Sequence, residues 1–264
     1  MVMLLNVLVI MAVIRRPMLQ TNTNILLACL AVTDAMTGLT TQPLFISWKT
    51  FQLIDLKNFI NPFRGVNFTM RALTVCSCLH LMLVTCERLI AIKFTMHYHE
   101  IVTKEKFKVA VISCWVYSVT SEILRRFNST IMIADLLVAL VLICCIIFIT
   151  SAYLVLYVET RRHQKMIKTQ QLPQEEEERF VKESKALKTT VYVIGAVVLC
   201  YLPMAFVLFS YAMKWQVSPF LKPFVRTFAM LNSFLNPLIY CWRQKEMRKF
   251  VFRIRTTQPV HPAN

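Results

Sequence analysis

Residues 131–160 read IMIADLLVALVLICCIIFITSAYLVLYVET, thirty consecutive positions rich in leucine, isoleucine and valine. A helix needs roughly 20 mainly apolar residues to cross the hydrocarbon core of a bilayer, so this stretch predicts a membrane-spanning helix. The composition of the whole chain also fits a lipid bilayer, because 56% of the 264 residues are hydrophobic, 17% are charged and only three are glycine. A soluble enzyme of this length normally carries more charge and more glycine.

Six further apolar runs flank this stretch, at about residues 1–15, 22–47, 61–93, 105–124, 187–212 and 219–241. Seven spans predict an all-α fold, a seven-transmembrane helix bundle. The first run is short, and we expect the first helix to be incomplete at its N-terminal end.

Lysine and arginine are distributed unequally between the connectors. Of 30 such residues, 21 lie on one side of the spans and 9 on the other. Cytoplasmic connectors carry the excess, so we expect a multi-pass plasma-membrane protein with its N-terminus outside the cell and its C-terminus inside. The formal net charge of +16 then indicates contact with anionic membrane lipids rather than with nucleic acid.

The segment after the last span is basic and amphipathic. In CWRQKEMRKFVFRI, which starts at Cys241, apolar residues recur at helical spacing among lysines and arginines. This predicts a spanning domain over 1–241, an amphipathic membrane-surface helix over 242–254 and a disordered tail over 255–264. All nine cysteines fall in or beside apolar runs, which favours buried thiols over a disulfide framework.

Several polar residues interrupt the apolar helices: Asp34, Asn6, Ser77, Asn232 and Asn236. A charge at the bilayer centre costs about 2.5–3.5 kcal/mol on insertion scales, so Asp34 needs partners. A carboxylate among neutral oxygen and amide groups suits a hard monovalent cation or a water cluster. The alternative is a protonated, hydrogen-bonded carboxyl group, and the residues alone leave both interpretations open.

The third span ends in the adjacent charges Glu87 and Arg88. Such a pair at a membrane boundary is consistent with simple snorkelling. Arg88 follows Ser77 by 11 residues and Met70 by 18, which is about three and five helical turns. The three residues therefore share one face, which must point into the bundle.

Prolines lie inside the sixth and seventh spans, at Pro203 and Pro237. A proline removes a backbone hydrogen bond and kinks a helix, and such a kink is either structural or a hinge. Trp115 in the fourth span is either a packing residue or an interface anchor.

In this order and spacing, these residues resemble the rhodopsin-like (class A) G-protein-coupled receptor family. The resemblance covers nearly the whole chain, and six of the seven spans carry a motif. The matching positions are Asn6, Asp34, Ser77, Glu87-Arg88-Leu89, Trp115, Cys200-Tyr201-Leu202-Pro203 and the intact Asn-Pro-x-x-Tyr motif at Asn236-Pro237-Leu238-Ile239-Tyr240.

The resemblance implies a receptor, not an enzyme, that passes an extracellular signal to a heterotrimeric G protein by outward movement of the cytoplasmic end of helix six. It assigns G-protein coupling to Glu87, Arg88, Leu89, Met96, Tyr153, Glu183 and Tyr240, with Arg88 held at rest by Glu87 and by Glu183. It assigns the activation switch to Cys200, Tyr201, Pro203, Asn236 and Pro237. It assigns an allosteric sodium ion to Asp34, Ser77, Asn232 and Asn236.

The chain also departs from the family pattern. Phe63 stands where most relatives have the cysteine of an outer disulfide, and Cys145 stands where proline is common. Tyr201 replaces the switch tryptophan, Leu89 replaces the tyrosine after the arginine, and Val197 replaces a phenylalanine of helix six. Some melanocortin-type and lipid-type receptors share the missing cysteine and proline.

The ligand is not evident from the sequence. Met70 stands where amine receptors carry an aspartate, and Met230 stands where light-sensing relatives carry the Schiff-base lysine, so neither an amine ligand nor retinal is expected. We expect the ligand site to include Met70, Arg71, Thr74, Tyr201 and Arg226.

Two cations in this set leave two interpretations open. Arg71 and Arg226, with Thr74, suit an anionic or lipid-like ligand, but both also suit snorkelling to outer headgroups. On the ligand hypothesis, Arg71→Ala abolishes the agonist response without lowering surface expression. Asn128 begins a glycosylation sequon in the second extracellular loop.

Two other functions compete with signalling. A receptor-derived protein that no longer signals is one of them, given the altered switch. A transporter is less well supported, because Asp34 is the only charge at mid-bilayer depth and no internal repeat is visible.

Overall fold

The structure, a computed structural model, describes residues 1–54, 65–94, 97–127, 131–170, 195–218 and 220–252. Every regular element in these ranges is helical, which confirms the all-α prediction. Eight helices carry labels here: α1 Val2–Arg15, α2 Asn22–Leu53, α3 Gly65–Lys93, α4 Lys104–Phe127, α5 Ile131–Gln170, the described part of α6 Gly195–Ala212, α7 Leu221–Arg243 and α8 Lys245–Val251.

Five of these helices, α2 to α6, are long and apolar enough to cross a membrane. Helix α1 is apolar but shorter, with 14 residues. Helix α7 has 23 residues and buries the polar side chains of Asn232, Ser233 and Asn236, which lower its mean hydropathy.

Apolar side chains cover both the inside and the outside of the bundle. Leu30, Leu142 and Tyr201 are at most 1% exposed at its centre. On the outside, Ile147 and Leu154 of α5 are 62% and 64% exposed. Helices that are apolar all round suit a lipid solvent.

Helix α2 contains a π-helical turn, Thr37–Thr41, with Gly38 inside it. A Cβ atom added at Gly38 would lie 2.7 Å from the backbone nitrogen of Met3 and 3.2 Å from Cβ of Val2. The missing side chain therefore lets α1 and α2 approach closely.

The predicted short helix after the seventh span is present as α8. It buries Met247 and Val251, while its lysines lie toward solvent. The Arg16 guanidinium lies 5.9 Å from the Phe250 ring centroid, which joins α8 to the end of α1. The predicted tail 255–264 lies outside the described residues. The end of the bundle opposite α8 is called the outer end below.

Candidate functional site

Asp34 lies at the centre of a polar network between the helices and is 0% exposed. Its Oδ1 accepts hydrogen bonds from the hydroxyl groups of Ser77, at 3.3 Å, and Ser233, at 2.8 Å. Its Oδ2 accepts a bond of 2.7 Å from Nδ2 of Asn236. Three neutral donors from α3 and α7 thus compensate a buried carboxylate of α2.

A second layer extends this network to α1 and α6. The Tyr201 hydroxyl donates to Oγ of Ser77 at 3.1 Å and accepts from Nδ2 of Asn232 at 2.7 Å. Asn6 Nδ2 donates to the backbone oxygen of Ser233 at 3.0 Å. Five helices therefore meet in one hydrogen-bonded unit.

The predicted members of the Asp34 group are brought together with two differences. Asn232 has no hydrogen bond to Asp34 and contacts Tyr201 and Ser77 instead. Ser233 does bond to Asp34, although sequence reasoning did not name it. It lies three residues before Asn236, a spacing that places both on one helix face, and this was the available signal.

The donor set fits a small hard cation. No arginine, lysine or histidine among the described residues lies within ion-pair distance of Asp34. The carbonyl oxygens of Asn6 and Asn232 are buried and have no hydrogen-bond partner in the described part of the chain. Carboxylate, hydroxyl and amide oxygens are the ligands that hard cations prefer.

At the α8 end of the bundle, Glu87 binds partners from two other elements. Its Oε2 accepts a bond of 2.5 Å from Thr23 of α2, and its Oε1 accepts a bond of 2.7 Å from the Tyr98 hydroxyl. Tyr98 begins the one-turn helix Tyr98–Ile101 and also accepts a bond of 3.0 Å from Asn22. Burial, followed by the hydrogen bond to Glu87, raises the pKa of Tyr98 above its usual range, so the donor proton is retained at neutral pH.

The expected ion pair between Glu87 and Arg88 is absent from the described residues, because both oxygens of Glu87 point to Thr23 and Tyr98. Nε of Arg88 is buried without a described hydrogen-bond partner. Met96 and Glu183 lie outside the described residues, so the second expected partner of Arg88 stays a prediction.

The remaining coupling and switch residues occupy the core or its edge. Tyr153, Cys200 and Tyr240 are buried, and Leu89 packs against the core with part of its surface exposed. Pro237 lies inside α7, as predicted, and Pro203 lies inside α6. Their roles in activation stay predictions.

Arg71 belongs to a cluster of four charges at the outer end of α3, α4 and α5. Its guanidinium lies 3.3 Å from Glu122 and 3.4 Å from Asp135. Arg125 holds Asp135 with two bonds, at 2.7 and 3.3 Å. We call these four residues the outer ion cluster. The side chains of Arg71, Glu122 and Asp135 are at most 11% exposed.

Both carboxylates therefore lie within ion-pair distance of the Arg71 guanidinium, while Nε of Arg71 and Oε1 of Glu122 have no hydrogen-bond partner among the described residues. The role of Arg71 in ligand binding stays a prediction. Sequence reasoning missed Glu122 and Asp135, which lie near the outer ends of their apolar runs. The sequence did contain an indication of this cluster, because both acidic residues and Arg125 lie near the outer ends of apolar helices.

The other expected ligand residues divide between core and rim. Met70 is buried, and the Thr74 hydroxyl donates to the backbone oxygen of Met70 at 2.7 Å. Arg226 is partly exposed, and its guanidinium lies 5.2 Å from the Trp48 ring centroid. Arg226 is the cation of the expected set that contacts an aromatic face rather than a carboxylate.

All nine cysteines are free thiols, as predicted. Cys144 faces outward and Cys29 and Cys86 are partly exposed, while the other six are buried. Phe63 and the sequon at Asn128 lie outside the described residues.

The family model of the 7 transmembrane receptor (rhodopsin family) matches residues 5–240. Melanocortin receptor 5 of Homo sapiens is 23% identical over 258 residues, which cover 92% of this chain and 77% of that receptor. Adenosine receptor A2a of Equus caballus is 25% identical over 292 residues, covering 94% of this chain and 68% of that receptor.

The chain therefore belongs to the rhodopsin family of seven-transmembrane receptors. It is a class A G-protein-coupled receptor with a seven-helix membrane bundle, and not an enzyme. Its class is that of multi-pass plasma-membrane proteins that respond to extracellular ligands and act on G proteins. The subfamily is unassigned, and the similar proteins come from at least two receptor types.

Proposed function

We propose that this receptor activates a heterotrimeric G protein through outward movement of the cytoplasmic end of α6, with its N-terminus outside the cell and its C-terminus inside. The observation that carries the proposal is the pair of hydrogen bonds at the Tyr201 hydroxyl, which donates to Ser77 and accepts from Asn232 and so ties α6 to α3 and α7. A ligand that prefers the form without these bonds shifts the population toward it.

The cytoplasmic part of the proposal concerns Arg88. Because Glu87 is engaged by Thr23 and Tyr98, its carboxylate anchors α3 to α2 and to the helix after α3. Arg88 is then available to the G protein without first leaving Glu87. In this receptor, access of the G protein to Arg88 depends on the movement of α6. It does not depend on breaking an ion pair within the Glu87-Arg88-Leu89 motif.

The proposal includes an allosteric sodium ion beside Asp34. Asp34 and Ser77 would hold it, with Ser233 and the carbonyl oxygens of Asn232 and Asn236 as the nearby oxygen donors. A bound ion supplies the positive charge that the buried carboxylate lacks. The residues themselves keep α2, α3 and α7 together and exclude water.

The test is basal nucleotide exchange by the purified chain in lipid nanodiscs, with Gα proteins of each class supplied in turn. We expect exchange with at least one class and its loss in Arg88→Ala. Lys108→Ala is the matched control, because the Lys108 side chain is 66% exposed and its ion pair in the described part of the chain is with Glu105 of its own helix.

Basal exchange equal to that of empty nanodiscs for every Gα class, in a sample that is folded by thermal unfolding, would contradict the proposal. That result would favour a receptor-derived protein that no longer signals. Equal exchange by the wild type and by Arg88→Ala would remove Arg88 from the coupling face.

A further inference from the structure

The outer end of the bundle divides its charges into two unlike groups. The outer ion cluster on α3, α4 and α5 contains two arginines and two carboxylates, so its formal charges cancel. It also contains both acidic residues that the described part of the chain places near the outer helix ends. The cations of α2 and α7 at this end therefore have no described carboxylate left to bind.

Arg226 is a partly buried cation of the second group. Its side chain is partly buried, and no carboxylate of the described residues lies within 4 Å of it. Its guanidinium has no hydrogen bond to an acceptor in the described ranges. The contact it does make is with the face of Trp48, 5.2 Å from the ring centroid.

The contact with Trp48 leaves the Arg226 guanidinium able to bind a planar anion. A guanidinium that lies over an aromatic ring keeps its edge free, and that edge matches the two oxygens of a carboxylate. Lys49 adds a second positive charge, because its Nζ lies 4.7 Å from the centroid of the same ring.

The surroundings define the rest of the ligand. Phe45 lies 6.0 Å from Trp48 between ring centroids, and both belong to a helix that faces lipid and the bundle. A ligand that fits this site has an apolar part that contacts the two aromatic rings and a carboxylate that binds Arg226.

We propose that Arg226, supported by Trp48 and Lys49, binds the carboxylate of an apolar ligand at the outer junction of α2 and α7. The inference rests on the proposed receptor function. It places the binding site for the ligand carboxylate at Arg226 rather than at Arg71. Arg71 lies within ion-pair distance of two carboxylates of the outer ion cluster, whereas Arg226 has no described carboxylate within 4 Å.

The experiment measures binding without a G protein, so that its failure is distinct from failure to signal. The full chain is placed in nanodiscs of zwitterionic phosphatidylcholine, which removes anionic headgroups. A series of carboxylates from butyrate to oleate is then titrated, each beside its uncharged methyl ester. The readouts are the thermal unfolding midpoint and tryptophan fluorescence.

We expect carboxylates of sufficient length to raise the midpoint, and their esters to have no effect. Arg226→Gln weakens binding by about tenfold to a hundredfold, the usual worth of a charged hydrogen bond. Arg226→Lys keeps the charge without the fork and gives an intermediate loss, and Trp48→Leu gives a smaller one. Lys214→Gln, at an exposed lysine beyond α6, is the matched control and binds like the wild type.

Three results would overturn the inference. The first is that acids and esters act alike, or that neither stabilises the wild type. The second is that Arg226→Gln binds the acids as well as the wild type does. The third is a difference between these two proteins only in nanodiscs that contain phosphatidylserine, which would assign Arg226 to lipid headgroups.

Discussion

Replacing Tyr201 by phenylalanine keeps the ring in the core and removes one oxygen atom. That oxygen makes two hydrogen bonds, at 2.7 Å to Asn232 and at 3.1 Å to Ser77, in a site that is 1% exposed. The lost bonds join α6 to α3 and α7, so the variant selectively weakens the form of the bundle described here.

The size of the effect follows from ordinary hydrogen-bond energies. Each buried bond contributes about 1 kcal/mol net, so the variant costs this form about 2 kcal/mol relative to one in which α6 has moved. That difference changes the ratio of the two forms by roughly 30-fold. If the moved form has a population of about 1%, its share rises to about a quarter.

The assay is basal nucleotide exchange per receptor at the cell surface, which we expect to rise about 20-fold on the same arithmetic. Tyr211→Phe is the matched control, because Tyr211 lies farther out on α6, is 37% exposed and keeps its ring contact with Lys222. Unchanged basal exchange in Tyr201→Phe at normal surface expression would refute the idea that these two bonds hold α6.

Three other predictions follow from the packing and charges. Gly38→Ala forces α2 away from the backbone of α1 and lowers the free energy of unfolding by about 1–3 kcal/mol. Gly195→Ala is the control and is neutral in the same thermal measurement, because no atom of the described residues lies within 4 Å of the new Cβ. Arg71→Ala leaves the buried Glu122 without its described cation, while Asp135 keeps Arg125, and we expect a cost of about 3–5 kcal/mol. The ratio of surface to total receptor should then fall, and a normal ratio with a lost response would support the ligand interpretation. Tyr98→Phe removes the donor to Glu87 and lowers the thermal stability at neutral pH. The pKa of Tyr98 is raised in the folded state, so its contribution to the free energy of unfolding is complete below pH 10.0. This contribution is lost as the pH rises through the pKa of the folded state, where the thermal stabilities of wild type and variant should converge.

The fold could be predicted from sequence because its solvent imposes a simple pattern. Apolar runs of about 20 residues have few alternatives to a helix in lipid, where every backbone polar group must be satisfied within the segment. The close approach of α1 and α2 at Gly38 was not predictable in this way, since it depends on which side of a π-helical turn faces its neighbour.

The candidate site could be predicted only at the level of residue types. Buried polar residues in apolar helices must find partners, and Asp34, Ser77 and Asn236 do meet. The sequence did not reveal which donor reaches which acceptor. Ser233 rather than Asn232 contacts Asp34, because one residue turns the side chain by about 100° around the helix axis.

Charge pairing was the least predictable feature. Adjacent residues on a helix point in different directions, so the neighbouring charges of Glu87 and Arg88 do not pair, while Glu87 reaches Thr23 across 64 positions of sequence. The pairing of Arg71 was not predictable, because Asp135 lies on a helix 64 residues farther along the chain.

The outer ion cluster has a consequence for how this receptor can be made and kept. All nine cysteines are free thiols, and among the described residues the ion pairs of the outer ion cluster join α3, α4 and α5 at the outer end. Thiol reductants leave these ion pairs intact, and no oxidase or isomerase is needed to form them. These ion pairs therefore form without an oxidation step, in whatever redox environment the membrane offers.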